Sequence, residues 1–308
     1  MWEFDIKKKD YRFQRRFLNV PSGKLRISIT SSCNMACHYC HAEGGHVESG
    51  ELTLSEIDYI IEQSVQYGIK SIRLTGGEPL LHPHVSEICQ HIKGKYHDME
   101  LGINTNGIAI DLLLEIIDQK AVDRVVVGID YFNEDISKSS SNGLPSRSIL
   151  ENVLKIKEKN CRVDISTVYL NNYSNAKMMV EWCFSNSIRL KLIEIIDDGI
   201  DKKPTLGYMS LIKNLVEEFD LSLCLDMHST QLYACDNIGN QISFFHSHCR
   251  QRECRVCSNL HMRVTSEGKI KPCLKTLKTE FSLLDNFEEN MLKGLCYSGR
   301  TPEEVDIA

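Results

Sequence analysis

Three cysteines, Cys33, Cys37 and Cys40, stand in one short run with the spacing C-x3-C-x2-C. Three thiolates in a single loop can hold three irons of a cubane 4Fe–4S cluster and leave the fourth iron without a protein ligand. An open metal position is where a substrate or cosubstrate coordinates, as it does in catalytic zinc sites. The spacing therefore indicates a cluster that takes part in chemistry rather than a structural one.

Zinc is the alternative for this loop, because a nearby histidine could supply a fourth ligand. The candidate ligands are His38, His41 and His46. The loop directly follows the first predicted strand, and in a parallel α/β barrel the functional residues lie at the carboxyl ends of the strands. This position favours the catalytic cluster over the zinc site.

A glycine-rich motif, Thr75–Leu80 (TGGEPL), follows the second predicted strand. Its two glycines, Gly76 and Gly77, allow the backbone to approach a ligand closely. The carboxylate of Glu78 can accept charge-assisted hydrogen bonds from an ammonium group. Alone, the motif is also typical of a turn before a helix. One strand–helix unit after the cysteine loop, it predicts a binding site for an amino group.

A second group of cysteines lies near the C-terminus. Cys254 and Cys257 form a C-x2-C pair, and fifteen residues separate Cys257 from Cys273. We interpret the group as a second metal site. Zinc completed by Cys249 or His248 is one alternative, and a set of inert thiols is the other. The remaining cysteines are scattered along the chain, and we expect them to be small buried hydrophobic residues.

Alternating strands and helices must position these motifs. β-rich runs predict strands at Lys24–Thr30, Lys70–Thr75, Met99–Asn104, Val122–Ile129, Arg162–Tyr169 and Ile188–Ile195. Helices are predicted near residues 53–67, 83–94, 109–119, 146–159, 174–186 and 206–219. Six strand–helix units favour a parallel sheet with right-handed crossovers. Because six units are too few for a complete eight-stranded barrel, the predicted fold is a partial (β/α)6 TIM-like barrel of the α/β class.

The chain divides into three predicted parts. Residues 1–22 are predicted to form a charged and aromatic N-terminal arm, and residues 23–221 the partial barrel. Residues 222–308 are rich in cysteine, histidine and charge. They are predicted to form a small C-terminal auxiliary region organised by metal.

Composition limits the possible functions. The 308 residues carry a formal net charge of −6, so no basic field directs the protein to DNA or to a membrane surface. No apolar run is long enough to cross a bilayer, and the first residues lack the apolar core of a secretory signal. We therefore expect a cytoplasmic protein, in which the two groups among its thirteen cysteines serve metal binding or catalysis rather than disulfides.

Together, the C-x3-C-x2-C loop after the first strand and the G-G-E-P motif after the second resemble the radical S-adenosylmethionine (SAM) superfamily. In that family the open iron binds the amino and carboxylate groups of SAM, and the reduced cluster cleaves SAM to a 5'-deoxyadenosyl radical. An external donor such as flavodoxin or ferredoxin supplies the electron. Gly128 stands where relatives often carry a serine that hydrogen-bonds the ribose. The resemblance implies SAM contacts at Tyr39, Gly76, Gly77, Glu78, Pro79, Thr105, Asn106 and Gly128.

One branch of that superfamily, the GTP 3',8-cyclases of molybdenum-cofactor biosynthesis, is similar to this sequence roughly from residue 24 to residue 276. The similarity is carried by Leu25–Thr30, Leu192–Glu194, Ile242–Cys257 and Arg263–Leu274. It implies a second 4Fe–4S cluster on Cys254, Cys257 and Cys273, with its open iron facing a substrate purine. Arginine donors match phosphate oxygens in pairs. The similarity also implies contacts to a nucleoside triphosphate at Arg26, Arg73, Arg162, Lys191 and Arg263.

The sequence departs from the cyclases at three places. His261 replaces the first arginine of an Arg-x-Arg pair, the spacing before Cys273 is two residues longer, and the chain ends in Glu303–Ala308 rather than Gly-Gly. Three hypotheses therefore stand: a cyclase-like lyase acting on GTP or a related nucleotide, a radical SAM enzyme modifying a peptide or small natural product, and a non-enzymatic iron–sulfur or zinc protein. The G-G-E-P motif argues against the third.

Overall fold

A computed structural model of the chain describes residues 23–37, 39–40, 50–132, 146–195, 206–227, 230–235, 240–246, 262–271 and 281–297. Its strands are β1 (Lys24–Thr30), β2 (Ser71–Gly76), β3 (Glu100–Thr105), β4 (Arg124–Gly128), β5 (Arg162–Tyr169), β6 (Arg189–Glu194), β7 (Leu221–Met227), β8 (Thr230–Cys235), β9 (Gln241–Phe245), β10 (Met262–Val264), β11 (Lys269–Lys271) and β12 (Phe281–Ser282). Its helices are α1 (Leu54–Val65), α2 (Val85–Lys95), α3 (Ile110–Asp118), α4 (Ser146–Glu158), α5 (Tyr173–Ser185), α6 (Leu206–Glu218) and α7 (Phe287–Tyr297), with a 3-10 turn at Pro79–Leu81.

The six predicted strand–helix units are confirmed. Each strand from β1 to β6 is followed by one helix of the series α1 to α6, with bounds close to those predicted. The described registers pair β1 with β2, β4 with β5 and β5 with β6, all in parallel. The predicted α/β class is therefore confirmed. Strands β7 to β12 were not predicted, because three of them have three residues or fewer and the others follow no helix-alternating pattern.

The chain forms two compact units. The first contains the described residues of 1–33, 42–102 and 251–308, and the second contains those of 34–41 and 103–250. The boundary falls inside β3, after Gly102. The division into an arm, a barrel and a C-terminal region came from sequence pattern rather than from contacts, and it stays a prediction.

Strands of the first unit follow the order β12-β11-β10-β1-β2. Strand β10, from the C-terminal part of the chain, pairs in parallel with β1, and β11 returns antiparallel to β10. On β1, Leu25 and Ile27 are fully buried and lie on one face of the strand. Successive side chains of a strand point to opposite faces, so Arg26 and Ser28 lie on the other face. The sheet of this unit therefore has an apolar side and a polar side.

Helix α1 packs through an apolar stripe. It begins at a capping box, in which Thr53 accepts from the Glu56 N–H while the Glu56 carboxylate accepts from the Thr53 N–H. Ile57, Ile60 and Ile61 are then completely buried. Burial of each such side chain stabilises the fold by roughly 1.5–3 kcal/mol.

Strands of the second unit follow the order β4-β5-β6-β9-β8-β7. Strand β9 extends the parallel series beside β6, and β8 and β7 continue antiparallel from it. The Tyr208 side chain of α6 is fully buried, and its hydroxyl donates to the Leu192 carbonyl oxygen at 2.7 Å. In the part of the chain that the structure describes, no helix is both long enough and apolar enough to span a bilayer.

Candidate active site

The cysteine loop leaves the carboxyl end of β1. Cys33 and Cys40 are exposed and Cys37 is half-buried, and the Cys40 N–H donates to the Cys37 carbonyl oxygen at 3.0 Å. Cys33 belongs to the first unit, and Cys37 and Cys40 belong to the second together with the half-buried Tyr39. The histidines considered as zinc ligands, 38, 41 and 46, lie outside the described residues.

Hydrogen bonds close the base of this loop in the first unit. The Ser31 N–H donates to the Gly50 carbonyl oxygen at 2.7 Å, and the Gly50 N–H donates to Ser31 Oγ at 2.8 Å. The Leu52 N–H then donates to the Ile29 carbonyl oxygen at 3.0 Å. The chain therefore leaves and re-enters the sheet at the same place, and the thiols stand on a loop whose two ends are held together.

The G-G-E-P motif packs directly against the start of the cysteine loop. The Gly77 N–H donates to the Thr30 carbonyl oxygen at 2.8 Å, and the Glu78 N–H donates to the Ser32 carbonyl oxygen at 2.7 Å. A Cβ atom on Gly77 would lie 2.3 Å from the Ser32 oxygen. Only glycine allows the two backbones to approach this closely.

The Glu78 side chain is held in one place. It is 1% exposed, and its Oε1 accepts from the Leu80 N–H at 3.1 Å. This hydrogen bond begins the 3-10 turn, in which Pro79 is buried. A buried carboxylate with a fixed orientation is a suitable acceptor for the ammonium group of a bound ligand.

The Asn-Thr-Asn-Gly run at the end of β3 contacts the cysteine loop within the second unit. Asn106 Nδ2 donates to Asn34 Oδ1 at 2.7 Å, and Thr105 Oγ1 accepts from the Gly107 N–H at 3.1 Å. Gly107 has a φ of +76°, which favours glycine. Asn104 Oδ1 is buried and finds no hydrogen-bond partner among the described residues. Such an acceptor is suited to a donor on a bound molecule.

Gly128 ends β4 and leaves space around itself. A Cβ atom there would meet no described atom closer than the Thr105 carbonyl oxygen at 3.8 Å. Its neighbour in register on β5 is Ser166, whose side chain lies on the same face. A small side chain at this position would therefore fit.

Asp130 follows Gly128 by two residues and is an acid that sequence reasoning did not single out. Its Oδ1 accepts from the Val168 N–H at 2.7 Å. Burial raises the pKa of Asp130 to about 7, although the hydrogen bond from Val168 lowers it. The carboxyl group therefore changes its charge near neutral pH.

Cationic residues form a row across four neighbouring strands of the first unit. Arg26 on β1 is in register with Arg73 on β2 and with Arg263 on β10, and Arg263 is in register with Lys271 on β11. Arg73, Arg263 and Lys271 are 7%, 9% and 8% exposed. In-register side chains of adjacent strands lie on the same face, so the four cations are neighbours. We call Lys271, Arg263, Arg26 and Arg73 the cation row.

One carboxylate supports an end of the cation row. Arg73 Nη2 donates to Glu100 Oε1 at 2.6 Å. Gly102 makes room for the guanidinium, because a Cβ atom there would lie 2.4 Å from Arg73 Nη1. Lys271 is the member that sequence reasoning missed, since only the β10–β11 pairing reveals that it is beside Arg263.

The two other predicted cations lie in the second unit and differ in placement. Lys191 is half-buried on β6, and its Nζ lies 4.5 Å from the ring centroid of Phe245. Arg162 is exposed and is the first residue of β5. Because β5 is parallel to its neighbours, Arg162 is at the amino end, away from the carboxyl ends where the motifs lie.

The auxiliary cysteines Cys254, Cys257 and Cys273 lie outside the described residues, as does His261. Among the residues that are described, no three His, Cys, Asp or Glu side chains approach closely enough to hold one metal ion. In a cubane each thiolate binds its own iron, so its ligands do not share an ion. Three accessible or half-buried thiols fit a 4Fe–4S cluster by their chemistry.

A three-cysteine loop on the first strand, packed against a Gly-Gly-Glu segment on the second strand of an α/β fold, defines a class of enzymes that bind SAM at an iron–sulfur cluster. The family model of the radical SAM superfamily matches residues 27–183. The chain belongs to the radical SAM superfamily, and it is an enzyme of that class. When bound, the cluster supplies the electron that cleaves SAM.

Relatives within the superfamily are GTP 3',8-cyclases. A probable GTP 3',8-cyclase of Methanocaldococcus jannaschii is 30% identical over 259 residues, covering 81% of this chain and 84% of that protein. The GTP 3',8-cyclase of Clostridium perfringens is 28% identical over 261 residues, covering 81% and 80%. The sequence prediction of a cyclase-like radical SAM protein is therefore confirmed.

Solved structures agree in fold. Streptococcus suis SuiB bound to S-adenosylmethionine has a TM-score of 0.71 at 17% identity, covering 96% of this chain and 72% of that one. Native anSMEcpe with bound AdoMet has a TM-score of 0.65 at 17% identity, covering 89% and 82%. At this identity the likeness concerns the fold, which is the α/β fold class of radical SAM enzymes that the sequence predicted.

Proposed function

We propose that this enzyme directs its SAM-derived radical onto a nucleoside triphosphate, GTP or a close relative, whose phosphates bind the cation row. The observation that carries the proposal is the register that brings Lys271, Arg263, Arg26 and Arg73 side by side. Cations on directly adjacent strands repel one another. Phosphate oxygens bound along the row remove this repulsion and accept charge-assisted hydrogen bonds.

Beyond the cation row, the polar face of β1 continues toward the carboxyl end of the strand, where the cysteine loop begins. Arg26 and Ser28 lie on the same face of β1, and Ser28 is in register with Thr75 on β2, before the register shifts between Ser28 and Thr30. From Arg26 to Thr30 the strand rises about 13 Å. A nucleotide held by its phosphates at the row would therefore extend toward the end of β1 from which Cys33 follows.

We assign the SAM-binding side of the site to the two motifs. Cys33, Cys37 and Cys40 would hold the first cluster, and the buried carboxylate of Glu78 would accept the SAM amino group. The remaining contacts are proposed at Tyr39, Gly76, Gly77, Pro79, Thr105, Asn106 and Gly128. An external electron donor of the flavodoxin or ferredoxin type would reduce the cluster.

A second 4Fe–4S cluster on Cys254, Cys257 and Cys273 belongs to the same proposal. Its support is the C-x2-C spacing with a third cysteine and the similarity to cyclases. Cys273 follows Lys271 of the cation row by two residues. Lys191, held by the Phe245 ring, is proposed as a further substrate cation. We assign no role to Arg162, because it stands at the amino end of β5.

Equilibrium binding to the anaerobically reconstituted protein tests the proposal. GTP is expected to bind at least tenfold more tightly than guanosine. Arg263→Gln and Lys271→Gln are each expected to weaken GTP binding about tenfold or more, because each removes a charged hydrogen bond of about 1.5–3 kcal/mol. Lys269→Gln is the matched control, since Lys269 lies on the same strand but its Nζ is 3.0 Å from Glu267. Its GTP affinity is expected to stay within about twofold.

The same measurement separates the alternative substrates. Equal affinity for GTP and guanosine, or row variants that bind GTP like the wild type, would contradict a triphosphate substrate. Binding of a peptide without any nucleotide would instead support the peptide-modifying function.

A further inference from the structure

A buried histidine, His82, ends the 3-10 turn that follows Glu78. It is 3% exposed, its Nε2 lies 3.0 Å from the Leu52 carbonyl oxygen, and its Nδ1 lies 3.1 Å from the His84 backbone nitrogen. Because the His84 N–H donates to Nδ1, that nitrogen carries no proton. The proton of the neutral ring is therefore on Nε2, which donates to Leu52.

Leu52 marks the point at which the chain has returned from the cysteine loop. Its N–H donates to the Ile29 carbonyl oxygen, and the preceding residue, Glu51, forms an antiparallel bridge with Thr30. The outgoing end of the loop is hydrogen-bonded to Gly77 and Glu78. The segment from Gly77 to His82 therefore binds both ends of the cysteine loop, and His82 supplies the bond to the returning end.

We propose that His82 is a positioning residue for SAM. Through its hydrogen bond to Leu52, it holds the two ends of the cysteine loop, which lie in the first unit, beside the Gly-Gly-Glu segment. This inference rests on the SAM contacts proposed above for Glu78 and for the cluster. One SAM molecule must reach both the open iron and the Glu78 carboxylate, so its affinity depends on their separation. Displacements of about 1 Å can reduce the efficiency of such sites by about 10²-fold.

Two amide variants separate the hydrogen bond from the bulk of the ring. His82→Gln places an amide nitrogen where Nε2 lies, whereas the shorter side chain of His82→Asn reaches only the Nδ1 position. SAM dissociation constants are measured by anaerobic equilibrium dialysis, with the EPR spectrum of the reduced cluster recorded with and without SAM. We expect His82→Gln within about threefold of the wild type and His82→Asn weaker by about tenfold. Iron content should stay equal in the two variants.

His246 provides a matched control in the second unit. It is 2% exposed, and its Nε2 lies 3.0 Å from Gln231 Oε1. His246→Asn is expected to lower the melting temperature of the protein while leaving its SAM affinity unchanged.

Three results would overturn the inference: wild-type SAM affinity in His82→Asn, equal weakening in His82→Gln and His82→Asn, or equal weakening in His246→Asn. Failure of the reconstituted wild type to bind SAM would instead contradict the SAM contacts on which the inference rests.

Discussion

Both units carry charged side chains on adjacent strands of their sheets, but the signs of the neighbouring charges differ between the units. In the first unit, Arg26, Arg73 and Arg263 stand side by side in register. In the second unit, the buried carboxylate of Asp164 on β5 pairs with Arg124 from β4 and Arg189 from β6.

The comparison shows that the number of arginines on a sheet does not by itself indicate a binding site. The cluster around Asp164 is an ion pair within the protein, because one buried anion accepts from both cations. In the cation row, four like charges lie side by side in register, and Glu100 pairs with Arg73 at one end. The proposed phosphate ligand would add further negative charge to this row. Strand register, rather than the number of arginines, distinguishes a structural ion pair from a candidate binding site.

The largest expected effect sharpens a second contrast between the units, that of their glycines. Gly77→Ala places a methyl group 2.3 Å from the Ser32 carbonyl oxygen, so the Gly-Gly-Glu segment must move away from β1. We expect SAM affinity to fall by about 10²-fold, which equilibrium dialysis of the reconstituted protein measures. Gly128→Ser is the control, because its site is open to 3.8 Å, and its SAM affinity should stay within about threefold. Unchanged affinity in Gly77→Ala would disprove the close approach as a requirement.

Removing the carboxylate at the centre of the ion-pair cluster should destabilise the protein. Asp164→Asn removes the anion that Arg124 and Arg189 share. Because both arginine side chains are partly exposed, we expect a loss of about 1.5–3 kcal/mol of unfolding free energy. Thermal or denaturant unfolding of the apoprotein measures the loss of stability. Arg263→Gln is the comparison from the cation row and should lose less stability than Asp164→Asn in the absence of nucleotide, because it also relieves the repulsion from Arg26 in register. If both variants lost the same stability, the contrast between the two clusters would be wrong.

The smallest expected effect concerns Asp130 in the second unit, whose pKa is raised by burial rather than lowered by an ion pair. Its folded pKa of about 7 lies above the ordinary value of 3.8. The folded protein therefore holds a proton that the unfolded chain has lost, and stability falls as pH rises from about 4 through 7. Asp130→Asn has no such pH-dependent loss. Between pH 5 and pH 8, its unfolding free energy relative to the wild type should therefore rise by an amount on the order of 1 kcal/mol or more. Melting temperatures of both proteins across this pH range measure the change. A difference that is constant across this pH range would show that the Asp130 pKa is not raised.

Much of the fold could be predicted because its signals are local. The run Leu25–Thr30 alternates apolar and polar residues within one strand. Thr53 and Glu56, three residues apart, form the capping box that indicates the start of α1. The six strand–helix units followed from such patterns. Strand β10 escaped prediction because its three residues carry too little periodicity to separate a strand from a turn.

The candidate site was only partly accessible from the sequence. The cysteine spacing and the G-G-E-P motif identify donor types directly, since each lies within one short segment. The similarity to cyclases also indicated Arg26, Arg73 and Arg263 as phosphate contacts. It indicated Arg162 equally and did not indicate Lys271. Likewise, the role of His82 depends on a backbone carbonyl oxygen thirty residues away in the chain.

By itself, the sequence determined the class of chemistry and the order of the elements, because thiolate spacing, glycine freedom and side-chain alternation act over a few residues. Only the tertiary structure decided which cations are neighbours. Arg26 and Arg263 meet because β10 pairs with β1 in one particular register, and a shift of one residue would send Arg263 to the opposite face. That register is set by the packing of segments far apart in the chain, which no local pattern encodes.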